Sequence, residues 1–336
     1  MKRRLFLRSG SAIALTTLAA CGGGGGGSSP LIASAQAASG TEPAAPATAP
    51  VAATPQAASA PQSAPATAAS ALPAKILACY YTAWDTGTYA ITDVPMDFNV
   101  IYLFHAKPNG TPVNGSWNNV GDGSFFFEFH DAVSAAQVQA CRNRGQKVIL
   151  TVGGASAGFN FDTRAKSTRF VESFKGIAAR LGGVDGCDFN NFEANIGSSP
   201  AEMVWIASQL KAFYGPTFAI TAPPQPNSPD DRAMLKAMAD AGVLDVAGPQ
   251  YYDWSGFNDP GFISRRTDDW VGSIGEGRVM LGLSANYGNG PSLADCIREW
   301  DAVKAKYPGV RGMFCWSAQL NLAGGNAWGA NMRARL

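Results

Sequence analysis

The feature that most constrains this fold is a series of eight short apolar runs, at 76–81, 100–104, 148–152, 186–192, 218–222, 244–250, 279–283 and 312–316. Near-continuous apolar runs of this length suit strands buried on both faces, as in a parallel sheet. Helical patterns lie between most of them. Residues 132–144 run to a stop at Gly145. Ser199-Pro200-Ala201-Glu202 reads as a capping box with Pro at the first helical position, opening a helix to about Phe213. Ser228-Pro229-Asp230-Asp231 and Ser292-Leu293-Ala294-Asp295 open two more. Eight strands with helices between most of them predict a single α/β domain, a (β/α)8 TIM barrel. The first crossover, 85–97, is too short and irregular for a good helix.

The barrel is expected to occupy 74–336, behind two segments of different character. Residues 1–20 carry Lys2, Arg3, Arg4 and Arg8, no acid, and then a short apolar run. This is the pattern of a signal peptide. Its start resembles a twin-arginine export signal. Its end, Leu18-Ala19-Ala20-Cys21, resembles a lipobox, in which Cys21 would be lipidated. Residues 21–73 are almost wholly Gly, Ala, Pro, Ser and Thr, with Glu42 the one charge after Cys21. Such a linker cannot bury enough apolar surface to offset its ordering entropy, so disorder is expected. The localisation that follows is an exported, cell-envelope lipoprotein, held to a membrane through the N-terminal lipid only.

Charge and composition narrow the chemistry. A net charge of +1 lacks the basic excess of a nucleic-acid binder. Two histidines, His105 and His130, leave little for a His-rich metal site or a His-based triad, and no metal or cofactor is expected. Beyond Cys21 there are five cysteines, an odd number. Export would permit disulfides, but Cys79, Cys187 and Cys315 sit inside apolar runs and read as small buried hydrophobes.

Working residues of such a barrel lie at the C-terminal strand ends. Here those ends hold Tyr80, Gln225, Gln250, Tyr252, Asp253 and Trp316, with Trp84 in the first loop. Aromatic faces that stack on pyranose rings, beside amides and acids that bond hydroxyls, suit a sugar. Val152-Gly153-Gly154 on the third strand, Thr221-Ala222-Pro223-Pro224-Gln225 on the fifth, Gln250-Tyr251-Tyr252-Asp253 on the sixth and Trp316 on the eighth resemble, in that order, the motifs of glycoside hydrolase family 18. That family comprises the chitinases and endo-β-N-acetylglucosaminidases, and the likeness is to its class III type.

The resemblance implies an Asp-Gly-x-Asp-x-Asp-x-Glu signature on strand four. Asp185, Gly186 and Asp188 fit, Asn190 replaces the next acid, Phe192 holds the place of the catalytic Glu, and Glu193 comes one residue late. Strand side chains alternate, so a regular strand would aim Glu193 away from the interior. A β-bulge after Asn190 would bring it back and leave Asn191 two residues before it. Two readings follow. In the first, the resemblance implies substrate-assisted retaining hydrolysis of β-1,4-linked N-acetylglucosamine polymers. Glu193 is then the acid, Asn191 or Asn190 with Tyr252 orients the acetamido group, Asp188 polarises the helper, and Phe189, Phe192 and Trp316 raise the pKa of the acid. Tyr80, Asn190, Gln225, Gln250, Asp253 and Trp316 bind substrate. In the second, the acid is lost and the protein binds surface glycan without cleaving it.

Overall fold

Alternation of side chains sorts each barrel strand into an inner and an outer face. In β1 (Ile76–Thr82), Ile76, Ala78 and Tyr80 enter a small cluster inside the sheet, while Leu77, Cys79 and Tyr81 join the larger apolar layer under the helices. In β2 (Val100–Pro108), Val100, Tyr102 and Phe104 point in, and Ile101 and Leu103 point out. A run buried on both faces is apolar throughout, which is why these segments read as continuous runs.

The structure, a computed structural model, describes residues 71–84, 89–190, 198–253, 256–285 and 288–336. All fall within the second of two units, Ser59–Leu336. The other barrel strands are β4 (Lys147–Gly153), β5 (Gly186–Asn190), β6 (Ala219–Ala222), β7 (Val246–Ala247), β8 (Leu281–Ser284) and β9 (Gly312–Trp316). A two-residue strand, β3 (Phe125–Phe126), folds back antiparallel on β2. The remaining pairs are parallel, in the order β7-β6-β5-β4-β2-β1-β9-β8. Bridges Ala247↔Val279 and Gln250↔Gly282 complete the circuit between β7 and β8. The fold is the (β/α)8 barrel that the apolar runs predict, with β7 reduced to two regular residues within the expected 244–250 run.

Phe314 shows how the interior is filled. Its ring occupies the space left by Gly248 and Gly282, where an added Cβ would come within 2.6 and 2.4 Å of it. Tyr80 packs edge-on against Phe314 at 5.0 Å and stacks on Tyr102 at 4.8 Å. At the opposite end, Leu72 packs against the same inner cluster, and Arg311 donates to the carbonyls of Pro73 and Ala74.

The helices are α1 (Ala135–Asn143), α2 (Arg164–Arg180), α3 (Pro200–Tyr214), α4 (Pro229–Asp240), α5 (Phe262–Ile274), α6 (Leu293–Lys306), α7 (Ala318–Ala323) and α8 (Ala327–Arg333). Ser228 and Ser292 cap α4 and α6 as expected, each accepting from the backbone N–H three residues on. Two expectations change. The 132–144 helix begins at Ala135, behind a 3-10 turn and a Ser134–Gln137 capping box. The capping box at α3 does not form: Ser199 makes no side-chain cap, and the Glu202 carboxylate turns outward to a two-bond pair with Arg164. A charged partner outbids a backbone amide for that carboxylate. The first crossover holds only a 3-10 turn, Ile91–Asp93, among its described residues.

Cys79, Cys141, Cys187, Cys296 and Cys315 are all free and buried. None of the described helices is long and apolar enough to cross a membrane. The signal peptide, Cys21 and nearly all of the linker lie outside the described residues.

Candidate active site

Asp188 is the hub of the barrel interior. It is wholly buried on β5 and accepts three hydroxyl hydrogen bonds, from Tyr80 Oη (2.8 Å), Thr151 Oγ1 (3.0 Å) and Thr221 Oγ1 (2.7 Å). The donors come from β1, β4 and β6, so the carboxylate ties together strands on both sides of its own. Burial, with Asp188 next to it, pushes the Tyr80 phenol well above its usual range, so Tyr80 remains a donor.

Regular pairing carries β5 upward past Asp188. The register with β4 runs unbroken from Ile149↔Gly186 to Gly153↔Asn190, and Gly154 N–H donates to the Asn190 carbonyl. Asn190 therefore shares the inner face with Asp188. It is 2 % exposed, and its Oδ1 is buried without a partner among the described residues. Cys187 and Phe189 face the helix layer, where Phe189 packs beside Phe170. This corrects one expectation: Phe189 does not line the mouth and cannot desolvate an acid there. Asn191, Phe192 and Glu193 lie outside the described residues, as does the bulge expected among them.

The other strand ends complete the rim. Tyr252 faces in and donates to Gln250 Oε1 (2.7 Å), whose Nε2 donates to Pro223 O (2.8 Å). Tyr251 faces out to Thr267. Gln225 is buried, and its N–H donates to Asp231 Oδ2 (2.9 Å) at the start of α4. Burial pushes the Asp231 carboxyl up to about 6. Trp316 is half-buried, 5.7 Å from Tyr80 and 5.0 Å, edge-on, from Phe104. Asp253 stands apart, exposed, with its N–H on Asn289 O.

The signature's first acid has a different task. Asp185 forms a paired ion contact with Arg142 on α1 and accepts from Val148 N–H, which fixes α1 against the start of β4. Thr151 and Thr221 proved to be parts of the Asp188 hub, a role visible in the sequence only as two inward-facing hydroxyls on the flanking strands. The end of β2 was also unmarked. Phe104 stacks on His105 at 4.0 Å, and both lie over the glycine pair that ends β4. Gly154 has φ +115°, and a Cβ there would sit 2.5 Å from Phe104 Cζ. Gly154 is thus the footprint of an aromatic ring.

Comparisons with known proteins agree on the fold. Chitinase 1 of Rhizopus niveus is 25% identical over 217 residues, which is 60% of this chain and 42% of that protein. The chain thus spans less than half the length of this curated relative. Among solved structures, a Streptomyces coelicolor protein described as a chitinase A superposes with TM-score 0.65 at 23% identity, covering 78% of this chain and 98% of that one. A family 18 chitinase of Chromobacterium violaceum gives 0.64 at 18%, covering 79% and 84%. A xylanase and α-amylase inhibitor protein of Scadoxus multiflorus gives 0.61 at 16%, covering 77% and 98%. The sequence matches no protein-family model. The fold is that of the family 18 chitinases, and the resemblance carried by the strand ends holds at that level.

Proposed function

We propose that this protein is a glycoside hydrolase that cleaves β-1,4-linked N-acetylglucosamine polymers of the chitin type. The observation that carries the reading is the buried Asp188 hub two residues before Asn190, whose Oδ1 has no partner among the described residues, on the inner face that also holds Tyr80, Tyr252 and Trp316. Three hydroxyl donors fix the Asp188 carboxyl group in the barrel interior. Above it, an amide oxygen without a partner is poised to accept an N–H, and an acetamido group supplies one. The chitinases among the structural neighbours support the same substrate.

In this reading the reaction is retaining and substrate-assisted, outside the two-carboxylate scheme. Glu193 protonates the glycosidic oxygen. The substrate's acetamido oxygen attacks the anomeric carbon, the leaving sugar departs with the proton, and an oxazolinium ion forms. Water then opens that ion while Glu193 takes the proton back. Asn190 Oδ1 accepts from the acetamido N–H, and the Tyr252 ring, held by its hydroxyl on Gln250 Oε1, stands beside the group. Asp188 stabilises the cation from below. An amide in place of a carboxylate helper offers a dipole rather than a charge, so turnover is slow. Release of reducing ends from chitin oligosaccharides tests the proposal.

A second reading is favoured by one observation: β5 keeps strict alternation through Asn190. Continued without a bulge, it brings Phe192 inward and Glu193 outward. A barrel of this kind would bind glycan without cutting it, and an inhibitor protein shares the fold. Retention on chitin without release of reducing ends is its outcome.

We further infer that the protein is exported and tethered through a lipid on Cys21, with 22–73 as spacer, on the strength of the Leu18-Ala19-Ala20-Cys21 pattern. Cys21→Ala should free it from membranes. Mass spectrometry that finds an unacylated mature N-terminus refutes the anchor.

A further inference from the structure

Strand β1 runs further up the barrel than its neighbour on one side. With β2 it pairs through Thr82↔Phe104, but with β9 only through Cys79↔Cys315. Ile76 N–H donates to Arg311 O, and steps of two residues along both parallel strands would bring Thr82 N–H to Ser317 O. That carbonyl is engaged elsewhere. Ser317 opens α7, and its oxygen accepts from Asn321 N–H (3.0 Å). The backbone of Thr82, a buried residue, therefore needs a partner on the β9 side that β9 does not supply.

Gln319 supplies it. Its Oε1 accepts from Thr82 N–H (3.2 Å), and its Nε2 donates to Thr82 O (3.0 Å). A carboxamide offers the same acceptor and donor as a peptide group, so this buried side chain stands in for a strand residue. The proposed chemistry gives Gln319 no task. Yet it follows Trp316 by three residues, and the Ser317 hydroxyl between them fixes the turn by accepting from Leu320 N–H. The clamp thus ties the end of β1 to the segment that carries the indole. Tyr80, two residues before Thr82, stands 5.7 Å from Trp316 and donates to Asp188.

We infer that Gln319 is a positioning residue of the glycan site: by pairing with Thr82 it holds the Trp316 indole in place beside Tyr80. Gln319 does not touch the sugar, and its effect on the ligand passes through Trp316. This deepens the proposed function and rests on that reading.

The test is a double-substitution cycle read by calorimetric titration with chitopentaose, in the full chain carrying Glu193→Gln to prevent turnover. Gln319→Met keeps the length of the side chain and removes both hydrogen bonds. It should lower affinity about tenfold where Trp316 is present, and no more than about twofold where Trp316→Ala has already removed the indole. Gln319→Glu keeps the acceptor for Thr82 N–H and should lose about threefold. It carries the cycle if the methionine variant does not fold. An unchanged affinity, or equal losses with and without Trp316, overturns the positioning role and leaves the proposed function standing. Failure of the Glu193→Gln protein itself to bind chitopentaose overturns both.

Discussion

Asn190 sits two residues beyond Asp188 on the same face of β5, with its Oδ1 buried and unpartnered directly above a carboxylate that holds three hydroxyl donors. One residue is saturated and the other is not. In the proposed reaction the Asn190 oxygen accepts the acetamido N–H. Asn190→Asp should therefore raise kcat on chitin oligosaccharides, by about tenfold, since a full charge stabilises an oxazolinium better than a dipole. Asn191→Asp is the matched control. A rise there with none at Asn190 would transfer the helper role to Asn191.

Removing the hub should be costly. Asp188→Ala strands three buried hydroxyls and is expected to destabilise the barrel by about 3 kcal/mol in urea denaturation, while Thr221→Val, which removes one donor, should cost about 1 kcal/mol. Similar losses from both would mean that Asp188 is not shared among the three strands.

Gly154→Ala tests the footprint of the aromatic pair. The new methyl would meet Phe104 Cζ at 2.5 Å from a backbone at φ +115°. A loss of roughly 2–4 kcal/mol is expected, from strain and displaced rings together. A variant as stable as the parent would contradict the packing.

Two buried groups oppose one another in acid. Asp231, raised to about 6, holds a proton in the folded state that the unfolded chain has released above about 4, so it makes stability fall from about pH 4 to about pH 6. His105, lowered to about 4, does the reverse: the unfolded chain takes up its proton below about 6.5, so stability rises over nearly the same window. The parent protein's melting temperature should vary little from these two groups between pH 4 and 6. Asp231→Asn should expose the rising limb alone, and its advantage over the parent should grow up to about pH 6 and then level off. A difference between the two proteins that is constant with pH would contradict the buried Asp231.

The barrel was legible because its evidence is periodic. Ile76, Ala78 and Tyr80 against Leu77, Cys79 and Tyr81 encode two buried faces in one run, and that pattern survives any variation in loops. The site was legible in part. Tyr80, Asp188, Asn190, Gln250, Tyr252 and Trp316 come together as strand-end positions must. Asp253 does not join them, because the chain turns there at φ +60° and leaves it exposed. Phe189 was misplaced by reading a strand as a list rather than as two faces. His105 was hidden, because its place depends on Gly153 and Gly154, which lie far off in sequence. Glu202 was misread for a related reason: its partner, Arg164, stands on another helix.

The five buried thiols give a fifth check. Each of Cys79, Cys141, Cys187, Cys296 and Cys315 is fully or largely shielded, and burial raises the pKa of every one. The folded barrel should react with a thiol reagent only on unfolding, all five becoming available together. Rapid labelling of any one under native conditions would contradict its placement.

The proposed hydrolysis depends on Glu193 as its acid. Reducing-end release from chitin oligosaccharides, followed in parallel with binding for the parent protein and Glu193→Gln, tests it most directly. The account predicts slow but measurable release by the parent, and none by Glu193→Gln with binding retained, since an amide keeps the shape of the acid but has no proton to give. Binding by both proteins with release by neither, or equal release by both, would contradict it.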